Sequence, residues 1–386
     1  VRIPDMLYAV VVRSDHAHAL IRSISTNHAR ESQGVVDVIT GVDLVGVLPN
    51  IPIRAMGDRS VDEFNPPEHP VLAQDKVCYV GQPVAVVVAE NPYLARDGAE
   101  LVEVDYQPLA PVIDPELAVD PDTSIIHQNL GTNMAIRSVQ QGGDIDQAFT
   151  QAHHIVRQRY QIPRLAPSPV EPRGVVADYD PLTDLMTVWD STQAPHQVQR
   201  YLAQSLNRSV ETIRVVAPDV GGSFGIKDCL FSEDILMPFL SLRLQRPVKW
   251  IEGRQDNLLT YHGRGMRLDV EAAVKSDRRL LGIRANILAD MGAYFYFTAP
   301  FPLFNAARRI TGPYDIPAVR ADILGVITNK TPVAAYRGTG SPEAAFSIER
   351  TMDLIAQDLN LDPVAVRSNN YIPKTTVPFR SFTGNL

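Results

Sequence analysis

The chain has little sulfur, no cluster of cations and no long apolar run, and each shortage removes a class of protein. Two cysteines, Cys78 and Cys229, are too few for an iron–sulfur cluster or a cysteine-built zinc site. They do not make a disulfide framework either, which points to a reducing, cytoplasmic setting. The nine histidines form no HExxH or similar pair, and His153, His154 and His262 read as structural or surface residues. A formal net charge of −8 with no Lys/Arg-rich stretch reads against a nucleic-acid partner. No apolar segment approaches the roughly 20 residues that a membrane-spanning helix needs. The chain opens on Val1, not Met, and enters a strand-like run at Leu7, so it reads as trimmed.

What is present is glycine in two telling places. Residues 219–228, Asp-Val-Gly-Gly-Ser-Phe-Gly-Ile-Lys-Asp, lie between a strand-like Thr212–Ala217 and an apolar helical run after Cys229. Gly221, Gly222 and Gly225 allow close approach and expose peptide N–H groups, which suits a cofactor or anion held by main chain. The pattern is neither GxGxxG nor a P-loop. The second loop, Ala335-Tyr-Arg-Gly-Thr-Gly-Ser-Pro342, directly precedes a helical pattern over Glu343–Leu359. Ser341 suits the cap of that helix and Pro342 its first turn, so Arg337, Gly338 and Gly340 arrive beside a helix N-terminus, a place for negative charge.

At 386 residues, with 45% hydrophobic and 21% charged residues, the chain has room for two or three domains. Residues 1–110 alternate strand and helix signals and predict a small α/β domain. Residues 111–142 are punctuated by proline, lack sustained periodicity and read as a surface linker. Residues 143–386 interleave longer strands with helices and hold both glycine loops. The fold class is α+β, or mixed α/β.

Seven segments resemble, in order, stretches of one family: Arg13-Ser-Asp-His-Ala-His-Ala19, Val80-Gly-Gln-Pro-Val-Ala85, Pro169-Val-Glu-Pro-Arg-Gly174, Ser191-Thr-Gln-Ala-Pro-His196, Gly221-Gly-Ser-Phe-Gly225, Arg246-Pro-Val-Lys-Trp250 and Ala335-Tyr-Arg-Gly338. The family is that of the molybdenum hydroxylases: the molybdopterin-binding large subunits of xanthine dehydrogenase, aldehyde oxidase and carbon monoxide dehydrogenase. The resemblance implies a hammerhead-like domain over 1–110, then the first half of a molybdopterin-binding domain over 143–386. It implies oxidation of an aldehyde or N-heterocycle with oxygen drawn from water. Gln193 resembles a glutamine beside the metal's oxygen, and Phe224 and Gly225 a pair whose amides approach an apical oxygen. Gly221, Gly222, Arg337, Gly338 and Gly340 fall on the cofactor-binding loops. The metal is held through the pterin dithiolene, so no protein ligand is implied. The cofactor is molybdenum–molybdopterin, with or without a terminal cytosine dinucleotide. Electrons leave through iron–sulfur and FAD centres on partner subunits, and a further chain supplies the absent C-terminal half with its general-base glutamate.

Departures from the family pattern narrow the reading. Ser223 stands where the glycine loop usually has a third glycine. Gly338 occupies the position of the copper-binding cysteine of carbon monoxide dehydrogenases, which reads against that activity. Asp228 replaces the glutamate of purine-oxidising members and is either a substrate carboxylate or a helix cap; Thr339 stands where those members carry an aromatic residue. Glu171 reads as a structural carboxylate paired with Arg173 or a backbone amide. An alternative of another class stays open, a non-catalytic scaffold half of a split large subunit.

Overall fold

The computed structural model describes residues 1–53, 61–376, 378–379 and 381–382. A seven-stranded sheet runs in the order Ile213–Val216, Leu185–Asp190, Gly174–Asp180, Val248–Ile251, Leu7–Arg13, Pro83–Ala89, Val35–Thr40. Leu7–Arg13 pairs in parallel with Val248–Ile251 and antiparallel with Pro83–Ala89. The sheet is therefore shared by residues from both sides of the 111–142 segment. Pro83–Ala89 is buried along its whole length, as expected of an unbroken apolar strand covered on both faces. The helix Ser232–Leu244 is apolar nearly all round and buries Ile235, Leu236, Met237 and Leu240 with Val175, Val188, Val248 and Trp250.

The second sheet has six strands in the order Glu63–Phe64, Met134–Gly142, Ala318–Ile327, Leu280–Gly292, Gly263–Val274, His154–Leu165. The helix Ser341–Asp358 belongs to its core through Ile348, Met352 and Ile355. A small third sheet flanks Ala19–Ser25 with Lys76–Val77 and Glu103–Pro108. No helix among the described residues is long and apolar enough to cross a membrane.

Two sequence expectations change here. The 111–142 stretch is not a surface linker throughout: Met134–Gly142 pairs antiparallel with Ala318–Ile327, and Val112 and Ile126 lie in the core. Its strand was masked because two of its inward positions are polar, Ser138 and Gln140, which hides the apolar alternation. The helix expected from Glu343 starts at Ser341, and its cap is Gly340 in a left-handed conformation (φ 86°), not Ser341. The Ser341 hydroxyl instead accepts a hydrogen bond from Arg309. Gly340 fits because a Cβ there would lie 2.1 Å from the carbonyl oxygen of Pro302.

Candidate functional site

The two glycine loops, more than a hundred residues apart in sequence, meet back to back. Gly225 takes φ +114°, and a Cβ on it would stand 2.0 Å from the Ala335 carbonyl oxygen, so only glycine lets the chains touch. The Arg337 N–H donates to the Phe224 carbonyl at 2.9 Å, and its guanidinium lies 6.0 Å from the Phe224 ring centre. Each loop also holds a non-glycine residue in the left-handed region: Phe224 at φ 57° and Thr339 at φ 46°. Such conformations cost on the order of 1–3 kcal/mol and persist where surrounding structure enforces them; they are rarest for β-branched residues such as threonine.

Gln193 joins the same place from a third element. It follows the strand Leu185–Asp190, and its N–H donates to the Lys227 carbonyl at 3.0 Å. The Ser223 hydroxyl donates to Gln193 Oε1, and the Gln193 side chain also bonds the Asp228 carboxyl. Burial pushes Asp228 above the ordinary carboxyl range, and the Gln193 bond only partly offsets that. Asp228 is not a helix cap: the helix starts at Ser232, and the Phe231 N–H donates to Asp234 at 2.8 Å. Among the described residues no acceptor takes the Phe224 N–H, and the Gly225 N–H makes only a long 3.4 Å contact with Ser223 Oγ. Phe224, Gln193, Arg337 and Gly338 are all exposed.

Beneath the first loop lies a charged clamp. Lys227 has a fully buried side chain, and its Nζ donates to Glu171 Oε2 at 2.7 Å. The same oxygen accepts the Gly221 N–H at 2.6 Å and the Ser191 hydroxyl at 2.9 Å. Burial works against charge on Glu171, but the bonds from Lys227, Gly221 and Ser191 outweigh it and hold the carboxyl below its usual range. The expected backbone amide is there, whereas Arg173 is not its partner. Arg173 donates instead to Glu252 at 2.7 Å and Glu233 at 3.1 Å, and its guanidinium lies 3.9 Å from the Phe231 ring centre. A charge set in Phe-Gly-Ile-Lys-Asp-Cys-Leu was the visible sign of Lys227, since a lysine among apolar residues needs a buried partner.

The second loop has its own clamp. Arg264 Nη2 donates to the Arg337 carbonyl at 3.1 Å, and Nη1 lies 3.0 Å from Glu343, a carboxylate 1% exposed. Neither Arg264 nor Glu343 stood out in the sequence, because each is one charge in an ordinary pattern. Behind the site, Asp190 and Asp234 form a buried carboxyl pair; burial raises Asp190 to about 7 and takes Asp234 well above its ordinary value, against the pull of Arg173.

Among the described residues no three His, Cys, Asp or Glu side chains gather as a metal site. Residues 126–371 match the molybdopterin cofactor-binding domain, and residues 1–110 the a/b hammerhead domain of aldehyde oxidase and xanthine dehydrogenase. The chain belongs to the molybdenum hydroxylase family. It is 36% identical over 98% of its length to the 6-hydroxypseudooxynicotine dehydrogenase complex subunit gamma of Paenarthrobacter nicotinovorans, covering 47% of that protein. It is 31% identical to the nicotinate dehydrogenase large molybdopterin subunit of Eubacterium barkeri, over 95% of this chain and 83% of that one. Its fold superimposes on quinoline 2-oxidoreductase from Pseudomonas putida 86 with a TM-score of 0.94 and 32% identity, covering 100% of this chain and 49% of that one. The chain thus spans about half the length of the first of these relatives and of the solved structure.

A molybdopterin group fits what the loops offer in this family. The Phe224 N–H, which no acceptor takes among the described residues, and the exposed Gln193 amide are donors such a group would use, and Arg337 is an exposed cation beside them.

Proposed function

We propose that this chain forms one wall of the molybdenum–molybdopterin site of a hydroxylase that inserts water-derived oxygen into an N-heterocycle or an aldehyde. The observation that carries the reading is the contact of Gly225 with Ala335, which merges two cofactor-type loops and Gln193 into one donor-lined surface. When bound, the group supplies the oxygen-transfer and redox chemistry. The chain's own part is electrostatic: the Phe224 N–H and the Gln193 amide are aimed where negative charge develops. Donors fixed in advance need no reorganisation, and loss of one typically costs ~3 kcal/mol of barrier. Gly221 and Gly222 give the backbone close approach, and Arg337, Gly338 and Gly340 hold the pterin side. Asp228, raised above its ordinary range by burial, is the candidate carboxyl for a substrate ring nitrogen, and Thr339 a second candidate substrate contact.

Quinoline and nicotinate, named in two of the relatives, are N-heterocycles, so substrate screening starts there. Gly338 brings no thiol to the place of a copper ligand, which counts against oxidation of carbon monoxide. Electrons pass to iron–sulfur and FAD centres on partner subunits, and a second polypeptide or segment brings the general base. Gln193→Ala tests the reading: without denaturant the cofactor stays bound, and turnover of the screened heterocycle falls by about a hundredfold. Unchanged turnover removes Gln193 from the site.

A further inference from the structure

Ser223 carries the one hydroxyl of residues 219–228, and that hydroxyl is fully used. It accepts the Lys227 N–H at 3.2 Å and, more weakly, the Gly225 N–H at 3.4 Å. A hydroxyl has one proton and two acceptor lone pairs, so with both lone pairs facing N–H groups the proton goes to its remaining neighbour, Gln193 Oε1. That bond settles which end of the Gln193 amide is which. The oxygen faces Ser223, and the NH₂ end bonds Asp228. One N–H of an exposed side chain is then left over for a group bound in front of the loop.

We propose that Ser223 is a positioning residue for Gln193, holding its amide with the donor end turned to the bound group. The inference rests on the reading of Gln193 given above and adds a partner that the sequence pattern does not supply. A free glutamine side chain samples both orientations of its amide and presents its oxygen about as readily as its nitrogen; an oxygen facing developing negative charge repels it. The hydroxyl of Ser223 removes that second orientation. Its three bonds also tie the amide to the backbone at Gly225 and Lys227, so loop and side chain move as one unit.

The test is a double-mutant cycle, read in the holo-complex recovered from the native source. Ser223→Ala, Gln193→Ala and the double variant are compared for the rate at which molybdenum is lost in mild urea, and for kcat and KM with quinoline and nicotinate as probes. Contacting groups couple, so the double variant is expected to lose metal at least about twofold more slowly than the product of the single effects. Ser223→Ala is expected to lower kcat with KM little changed, and Ser223→Thr, which keeps the hydroxyl, to restore it. Effects on metal loss that simply multiply overturn the proposal, whichever probe is turned over, and leave the reading of Gln193 standing if Gln193→Ala alone is impaired. Metal loss and turnover both unchanged in Gln193→Ala overturn that reading and the proposal with it.

Discussion

Gly225 is backed against the carbonyl oxygen of Ala335, so closely that a Cβ on it would lie 2.0 Å away. This contact makes one site of two loops. It also explains why a glycine stands there: the conformation, φ +114°, and the space both exclude a side chain. Gly225→Val is expected to force the loops apart and abolish cofactor retention, while the seven-stranded sheet survives. Molybdenum per chain and far-UV circular dichroism check the two halves of that statement. A variant with full metal content would mean that the loops do not hold the cofactor.

The Lys227–Glu171 clamp separates loop order from global stability. Glu171 is 40% exposed, so the pair contributes only about 0–1 kcal/mol to folding. Its geometric role is larger, because the same carboxylate oxygen holds the Gly221 N–H. Lys227→Met, which keeps most of the buried volume, is therefore expected to leave the melting temperature within a few degrees of wild type and to lower metal content. Equal metal content in both proteins would remove the clamp from the account.

Glu233 is a different case, since it is buried at 1% exposure between Arg173 and Arg13. Burial opposes its charge, and Arg173 and Arg13 outweigh it, taking the carboxyl down to about 2 from an ordinary 4.5. A lowered folded value means stability that is present above pH 4.5 and lost as pH falls towards 2. Glu233→Gln leaves two buried guanidinium groups short of charge and is expected to cost about 3–5 kcal/mol. Urea unfolding followed at neutral pH and again near pH 3 measures both effects, the difference between variant and wild type shrinking in acid.

Asp190 has the opposite sign. Burial beside Asp234 raises it from 3.8 to about 7, so the folded protein binds a proton there that the unfolded chain has lost. Stability from this group is therefore full below about pH 4 and falls as pH rises through 7. Asp190→Asn keeps the shape without the titration. Its melting temperature relative to wild type is expected to rise between about pH 5 and pH 8, and a constant difference across that range would show that the carboxyl does not carry the proton.

How legible this was depended on what each residue contributes. The strand-like run at Leu7 and the helical run after Cys229 are found, as Leu7–Arg13 and Ser232–Leu244, because β-branched runs and a largely apolar helix are strong local signals. Strand Met134–Gly142 was not legible, since Ser138 and Gln140 point inward. The loops themselves could be read from glycine spacing, but their contact could not: it is made by sheet topology that brings residue 225 to residue 335. The cap expected at Ser341, and the cap alternative for Asp228, failed because the helices begin one residue and one turn away from where side-chain chemistry alone places them. The apolar surroundings of Lys227 hint at a buried partner, but which groups Lys227, Arg264 and Glu343 pair with is remote in sequence and no local pattern reveals it.

The measurement that bears most directly on the account is molybdenum per chain, by elemental analysis, in the intact complex drawn from the native source through a tag on this polypeptide. Near-stoichiometric metal, lost in Gly225→Val, is the expected result. An intact complex without molybdenum would contradict it and leave the chain a scaffold that has kept the loops without the cofactor.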